Sequence, residues 1–346
     1  MQKTFNWLSQ QLLNHSSVGA YFEPLIQQLM PAWRVDYFRA KVQTIDFLSP
    51  DTVALWLKIN KSWPIHRAGQ HIQLTLEIDG KLCTRVFTIA SSPQKAKVDH
   101  LIRLVIKQQP TGQLTPSLSS LAVGDWINIS APQGDFTLDK VSEHSLFLAA
   151  GSGITPFIAI LSAMNFENKK TKVHLIYYAK KSQHLLVDEL AAIANKHANF
   201  SFELLHRENH GDVSQHLATH ASSNFYVCGP APFYNSIERY TTAQNRQLFS
   251  EHFTALPLPT TNQTTFKLGF RDKQLEVTNT EPLLTQLLSL GESVTYGCKM
   301  GICHQCQCTK SKGVVRNILT GELSDTGEEL IQLCTAQMIT DVELKA

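Results

Sequence analysis

The sequence predicts a multidomain fold: an antiparallel β-barrel, then a doubly wound α/β unit, then a small α+β unit that holds most of the cysteines. Three observations predict it. Between 41 and 138, apolar residues alternate with polar ones in short runs, the two-residue period of half-buried strands. From 145 to about 250, short apolar runs are separated by helix-length segments, the rhythm of a parallel sheet with crossover helices. Five of the seven cysteines then fall between 298 and 334. With 346 residues, 43% of them hydrophobic, the chain is long enough for two or three cores.

Residues 1–40 carry helical stripes, Phe5/Leu8/Leu12 and Phe22/Leu25/Ile26/Leu29, and read as a helical extension packed on the rest of the chain. Residues 41–140 form the barrel. Val53, Leu55, Leu57 and Ile59 alternate, as do Ile72, Leu74, Leu76 and Ile78; further strands are Arg85–Ile89, Leu101–Lys107 and Trp126–Ser130. Residues 141–255 form the α/β unit, with strands at Leu146–Ala150, Val173–Tyr178, Phe200–Leu205 and Phe225–Cys228 and a helix at Val187–His197. The Pro- and Thr-rich stretch 256–265 reads as a linker. In 266–346, Phe266–Phe270 and Gln274–Val277 flank a turn, and Leu283–Leu290 is a helix closed by Gly291.

A net charge of +2 gives no case for a nucleic-acid partner. The longest apolar run, Leu146–Leu161, is interrupted by Gly151, Gly153 and Pro156 and is too short to span a bilayer. The clustered cysteines indicate a local metal site in a reducing compartment, and the start of the chain lacks a signal-peptide pattern. The expectation is a cytoplasmic monomer that is not itself transmembrane.

Cys298, Cys303 and Cys306 read Cys-x4-Cys-x2-Cys, and Cys334 follows 28 positions after Cys306. That is the ligand spacing of a plant-type [2Fe–2S] cluster. A zinc knuckle is the alternative; it expects paired Cys-x2-Cys or a Cys/His set, and only His304 is at hand. Cys308 matches no ligand position and is expected to face away along a strand.

Two phosphate sites are suggested. In the barrel, Arg85, Phe87 and Thr88, running on through Ile89 to Ser91, precede Lys107 and the loop Gly112, Gln113, Leu114 and Thr115. An Arg, an aromatic for a flat ring and a loop leading into a helix capped by Thr115 suit a diphosphate. In the α/β unit, strand, Gly151-Ser152-Gly153, then Ile154-Thr155-Pro156 is a strand–glycine turn–helix arrangement, lacking the third glycine of the dinucleotide fingerprint. Cys228, Gly229 and Pro230 follow a later strand, at the end where α/β sheets place ligands.

In this order the motifs resemble those of a ferredoxin–NADP reductase-type flavoprotein with a C-terminal plant-type ferredoxin domain. The resemblance covers roughly 41–346 and is nearest to the reductase partners of bacterial fatty-acid or acyl-CoA desaturases. It implies a β-grasp fold for 266–346. It implies that Arg85 pairs with the flavin diphosphate, Phe87 stacks on the isoalloxazine and Thr88 bonds near flavin N5. Gly112 to Thr115 would complete the diphosphate contacts, and Gly151 to Thr155 would receive the nicotinamide nucleotide. Cys228, Gly229 and Pro230 would line the nicotinamide pocket, with Thr88 and Cys228 as the catalytic residues. Phe87 stands where the family has Tyr, which keeps the stacking and loses one hydroxyl bond, nominally about 0.5–1.5 kcal/mol. The sequences Ala-Ser-Ser-Pro and Gly-Gln-Leu-Thr favour FAD over FMN.

The implied activity is NAD(P)H-dependent electron transfer through FAD and a [2Fe–2S] cluster to a separate oxygen-activating enzyme, in the first reading a fatty-acid desaturase, a class that includes membrane-bound partners. The second reading is the reductase of a ring-hydroxylating, demethylating or acyl-CoA-epoxidising oxygenase; a non-enzymatic redox sensor or electron carrier is the alternative of another class. Lys180 and Lys181 follow the second α/β strand and Arg207 the third, with no acidic residue ending Tyr177-Tyr178. That pattern suits a 2′-phosphate and points to NADPH, with NADH as the alternative.

Overall fold

The computed structural model describes residues 26, 38–78, 81–109, 114–167, 171–220, 223–251, 263–301 and 304–345. The helical extension expected over 1–40 lies outside these residues, except for Ile26, which is helical, and 38–40.

The barrel begins earlier than expected. Strand β1 runs Phe38–Ser49, because Ala40 and Val42 alternate into the core and Phe38 pairs with Ile129. The next strands are β2 (Thr52–Lys58), β3 (His71–Ile78), β4 (Lys81–Thr88), β5 (Leu101–Lys107) and β6 (Trp126–Ile129). They pair antiparallel in the order β4-β3-β6-β1-β2-β5, and a bridge between Ile89 and Leu104 joins the two outer strands into a closed barrel. Val53, Leu55, Leu57, Ile59, Ile72 and Leu74 fill it as the alternation predicts, whereas Leu76 and Ile78 are only half-buried near the strand end. Helix α1 (Pro93–Asp99) starts on Ser92, whose hydroxyl accepts from the Lys95 N–H. A single turn, α2 (Leu114–Ser117), drops Leu114 into the barrel core.

Five parallel strands follow: β7 (His144–Ala150), β8 (Lys172–Ala179), β9 (Phe200–His206), β10 (Asn224–Cys228) and β11 (Leu248–Glu251). Their order is β11-β10-β7-β8-β9. The chain therefore winds one way from β7 to β9 and the other way to β10 and β11. The switch lies between β7 and β10, the crevice where such sheets bind ligands. Helices α3 (Ile154–Ala163), α4 (Val187–Lys196), α5 (Arg207–His210) and α6 (Ala231–Ala243) connect the strands. Strand β11 was not read from the sequence, since Leu248-Phe249-Ser250-Glu251 is short and ends on a carboxylate.

The barrel and parallel sheet fall in one compact unit, and the strands from Thr265 onward belong to another. In the latter, β12 (Thr265–Phe270) and β13 (Lys273–Thr278) form the expected hairpin, with Arg271 in the left-handed region at its turn. Thr265, expected in the linker, already pairs with Thr278. Helix α7 (Leu283–Ser289) buries Leu283, Leu284 and Leu287. Then come β14 (Gln307–Lys312), β15 (Val315–Asn317), β16 (Glu329–Gln332), β17 (Ala336–Met338) and β18 (Val342–Lys345). The mixed sheet has the order β13-β12-β18-β14-β16, with β18 parallel to β12, and β15 pairs with β17 beside it. Lys310 is fully buried and its Nζ donates to the Asp325 carbonyl at 2.8 Å, so a cation fixes the 325–327 loop from inside.

Candidate functional site

At the switch point, Gly151 has φ +56° and Gly153 packs so tightly that a Cβ would run into the Cys228 carbonyl oxygen. A Cβ at Gly229 would stand 2.9 Å from both Ala150 Cβ and Phe233 Cδ1. These contacts explain why both strand ends need glycine: the main chains of β7 and β10 emerge side by side, Ala149 opposite Cys228. Gly151, Ser152 and Gly153 form a turn into α3, and the Thr155 hydroxyl donates to the Ser152 carbonyl at 3.0 Å. Ile154 and Thr155 are buried, while Ser152 is half-exposed and Pro230 exposed. Tyr177, unsuspected from the sequence, donates its hydroxyl to the Gly151 carbonyl at 3.0 Å and accepts from the Leu185 N–H at 2.9 Å. Burial pushes that hydroxyl up to about 12. Lys180 and Arg207 are exposed and leave adjacent strands, since Ala179 lies opposite His206.

On the barrel, Arg85 and Phe87 pair with Leu74 and Ile72 on one strand face, and Thr88 pairs with His71 on the other, as the alternation requires. Arg85 donates to the Thr84 carbonyl at 2.7 Å, and Phe87 is half-buried against the barrel core. Thr88 is 4% exposed and its Oγ1 has no hydrogen-bond partner among the described residues. A buried hydroxyl left unsatisfied costs free energy unless a bound group supplies the partner, so this atom fits a ring nitrogen of a flavin.

Several expected cofactor residues are already engaged elsewhere. The side chains of Ile89 and Leu114 lie in the barrel core, and the Ile89 N–H donates to the Gln70 carbonyl at 2.9 Å. Ser91 Oγ accepts from the Arg103 N–H at 3.1 Å. Lys107 Nζ reaches Asp51 Oδ2 and Gln183 Oε1, both at 3.2 Å. Thr115 does not cap the helix: α2 starts at Leu114, and the Thr115 hydroxyl accepts from the Gln109 N–H at 2.9 Å because the chain folds back on itself there. Gly112 and Gln113 lie outside the described residues.

Two further groups join the barrel to the parallel sheet. Arg103 on β5 forms a bidentate pair with Glu189 on α4 at 2.5 and 2.8 Å, and it also donates to the Ala90 carbonyl from Nε and Nη2 at 3.0 and 2.8 Å. His71 Nδ1 lies 3.1 Å from Glu251 Oε1, with both side chains buried. His71 Nε2 and Glu251 Oε2 have no partner among the described residues. Burial raises the Glu251 carboxyl above its ordinary range, opposed by the His71 hydrogen bond and charge. Cys228, opposite Glu251 in register, is likewise raised well above the usual thiol range by burial and then by the Glu251 charge. Thr88, His71, Glu251 and Cys228 thus form one connected series: Thr88 pairs with His71, His71 bonds Glu251, and Glu251 pairs with Cys228. Sequence alone carried one usable sign of Glu251, an acidic residue closing an apolar run.

In the C-terminal unit, Cys298, Cys306 and Cys334 are 6%, 3% and 3% exposed. Cys306 and Cys334 share a hydrogen bond that lowers the Cys306 thiol to about 7 and raises its partner. The Met300 N–H donates to Cys298 Sγ at 3.3 Å and the Gly301 N–H to Cys334 Sγ at 3.2 Å. Gly301 has φ +74°, and a Cβ there would meet Thr335 Cγ2 at 2.8 Å. Buried sulfurs receiving main-chain N–H bonds suit thiolates that bind a cluster. Cys303 lies outside the described residues, and among those described no group of three His, Cys, Asp or Glu side chains is gathered closely enough to hold a metal ion. Cys308, expected to face away, is half-buried; its thiol donates to the Lys345 carbonyl at 3.4 Å, and burial alone raises it.

Among the described residues no helix is long and apolar enough to cross a membrane. Residues 39–138 match the oxidoreductase FAD-binding domain family and 147–239 the oxidoreductase NAD-binding domain family. The chain is similar to an NADPH oxidoreductase of Mycobacterium tuberculosis, 25% identical over 326 residues that cover 91% of this chain and 86% of the relative. It is 29% identical over 223 residues to the toluate 1,2-dioxygenase electron transfer component of Pseudomonas putida, covering 61% and 65% of the two chains. In fold it resembles phthalate dioxygenase reductase, with a TM-score of 0.59 at 18% identity over 90% of this chain and 98% of the other.

Proposed function

The chain is an NAD(P)H-dependent oxidoreductase with an FAD-binding and an NAD-binding domain, and from this premise we propose that it delivers electrons through a C-terminal [2Fe–2S] centre to a separate oxygen-activating enzyme. The observation that carries the proposal is the pair of main-chain bonds from Met300 and Gly301 to Cys298 Sγ and Cys334 Sγ. When bound, FAD would supply the conversion of a two-electron hydride into single electrons, and a cluster held by the cysteines would supply a one-electron acceptor.

The division of labour follows the sequence reading, with β1 added to the barrel. The FAD unit runs from Phe38 to about 140, the nucleotide unit over 141–255, and the ferredoxin-like unit over 266–346. Arg85 neutralises the flavin diphosphate, Phe87 covers one ring face, and the Thr88 hydroxyl meets the ring edge. Gly151, Ser152, Gly153 and Thr155 admit the nucleotide phosphates to the start of α3. Gly153 and Gly229 let the nicotinamide end approach the main chain at Cys228, and Tyr177 holds the Gly151 carbonyl in register for it. Cys298, Cys303, Cys306 and Cys334 ligate the cluster. Lys180 and Arg207 favour NADPH over NADH.

For the acceptor, the sequence resemblance favours a fatty-acid desaturase. The likeness to the toluate 1,2-dioxygenase electron transfer component supports an oxygenase as the second reading. The purified protein should contain one FAD and two irons per chain and reduce a dye with NADPH. Protein purified without iron that still supports turnover of the acceptor enzyme would overturn the cluster reading. Turnover of a co-purified membrane desaturase, against turnover of a soluble oxygenase, decides the acceptor.

A further inference from the structure

The strand that meets the ribose 2′ position in a doubly wound sheet is the second one, here β8, and its last residue, Ala179, pairs with His206 at the end of β9. Four imidazoles stand in a line at these two strand ends. Ring centroids are 5.1 Å apart for His184 and His206, 5.8 Å for His206 and His210, and 6.3 Å for His210 and His216. Tyr177 closes the line at one end, 4.8 Å from His184, and Tyr178 at the other, 6.2 Å from His216.

Three of the rings are fixed through one nitrogen. His184 Nε2 donates to the Tyr177 and Leu205 carbonyls at 3.0 and 3.2 Å, His210 Nδ1 lies 3.0 Å from the His206 main-chain nitrogen, and His216 Nε2 donates to the His210 carbonyl at 3.2 Å. His206 Nδ1 is buried without a partner among the described residues, and so is the hydroxyl of Tyr178, a residue only 5% exposed. The four rings are half-buried, and Lys180 and Arg207 are exposed beside them.

We propose that His184, His206, His210 and His216, with Lys180 and Arg207, form a protonation-dependent site for the 2′-phosphate of NADP(H), so that preference for NADP(H) over NAD(H) rises as pH falls. The inference rests on the nucleotide-site reading above and adds its regulation by protons. Exposed lysine and arginine give only screened attraction. Half-buried imidazoles are screened less, and a dianion beside them favours their charged forms.

Without the phosphate, charging of His184 is opposed. Burial lowers His184 first, its bonds to the Tyr177 and Leu205 carbonyls oppose this, and the His206 charge lowers it further. Of the carboxylates on these elements, two are partnered and one is in solvent. Asp212 accepts from Ser214 and Ser236, Glu203 lies 3.5 Å from His174, and Glu208 is exposed on α5. Burial first, then Asp212 and Glu203, push the Tyr178 hydroxyl up to about 12, so it stays neutral. Binding the phosphate therefore takes up protons, and each proton taken up changes affinity by at most about tenfold per pH unit. The effect is confined to the window above about pH 6, below which the phosphate itself protonates.

The test is calorimetry on the flavin-loaded protein with 2′,5′-ADP and with 5′-AMP, which lacks the 2′-phosphate, in the presence of a chelator. From about pH 8 to about pH 6.5, 2′,5′-ADP should tighten roughly tenfold relative to 5′-AMP. Buffers of different ionisation enthalpy should report uptake of about one proton per 2′,5′-ADP and none for 5′-AMP. His206→Asn/His210→Asn should flatten that dependence at unchanged flavin content and 5′-AMP affinity. Lys180→Ala should weaken 2′,5′-ADP equally at both pH values. A pH-independent ratio of the two ligands, or no proton uptake, overturns the proposal while leaving the nucleotide site standing; the proton count needs no variant to fold. No binding of either ligand, with no flavin reduction by NADPH or NADH, overturns the nucleotide site as well.

Discussion

Replacing Arg103 tests the joint between the barrel and the parallel sheet. Its guanidinium makes two bonds to Glu189 and two to the Ala90 carbonyl, and its Cζ lies 5.4 Å from the Trp56 ring centroid. The Arg103 side chain is 11% exposed, against 41% for Glu189, so the cation is nearly dry and the carboxylate partly screened. Bonds involving a charged partner contribute about 1.5–3 kcal/mol each before screening, and removing one member of a buried pair costs about 3–5 kcal/mol. Arg103→Met is expected to cost about 3–4 kcal/mol, and Glu189→Gln, on the wetter side, about 1 kcal/mol. In a unit of this size that places the Arg103→Met midpoint roughly 10 °C lower. The same loss frees the Ala90 carbonyl two residues beyond Thr88, so FAD should dissociate faster from the variant. Urea and thermal melts of both single variants and the double variant give the coupling energy, expected near 1 kcal/mol. A coupling indistinguishable from zero, or an Arg103→Met protein with unaltered midpoint and FAD content, would refute the reasoning.

Other outcomes follow from the same geometry. Thr88→Val removes a buried hydroxyl that has no partner among the described residues, so the flavin-free protein should be as stable or slightly more so, while FAD binds about 2- to 10-fold more weakly by equilibrium dialysis. Tyr177→Phe deletes only the tie to Gly151 and Leu185; KM for the nucleotide should rise about threefold or more with FAD content unchanged, for a lost bond of about 1 kcal/mol. For Glu251, whose carboxyl is raised in the folded protein by burial, the stabilising contribution is full below the ordinary carboxylate range and is lost as pH rises through its raised value. Glu251→Gln should therefore gain thermal midpoint relative to the parent as pH rises, and a constant difference from acid to neutral pH would contradict this. Serine at Cys298, Cys303, Cys306 or Cys334 should abolish iron binding while leaving flavin reduction by NADPH, whereas Cys308→Ser should keep two irons by colorimetric assay.

Local signals in the sequence determined a good part of this protein. Alternation at Val53–Ile59 and at Ile72–Leu74 marked core strands because each side chain's face depends only on its parity along the strand. The glycines at 151, 153 and 229 were legible for a related reason: a turn or a close approach constrains residues near one another in the chain. Tertiary structure alone decided the rest. Glu251 and His71 are 180 positions apart, and Arg103 and Glu189 are 86 apart; nothing local tells a buried, paired charge from an ordinary surface one. The side chains of Ile89, Ser91 and Leu114, candidate contacts named beside a motif, are turned by the closing of the barrel to the core or to the Arg103 main chain, which no local pattern announces. The four imidazoles come from β9, α5, a loop and the 3₁₀ turn Val213–His216, and only the register that sets Ala179 beside His206 gathers them at one strand end. Which polar groups meet is a matter of sheet order and register, and those are settled by the packing of the whole unit.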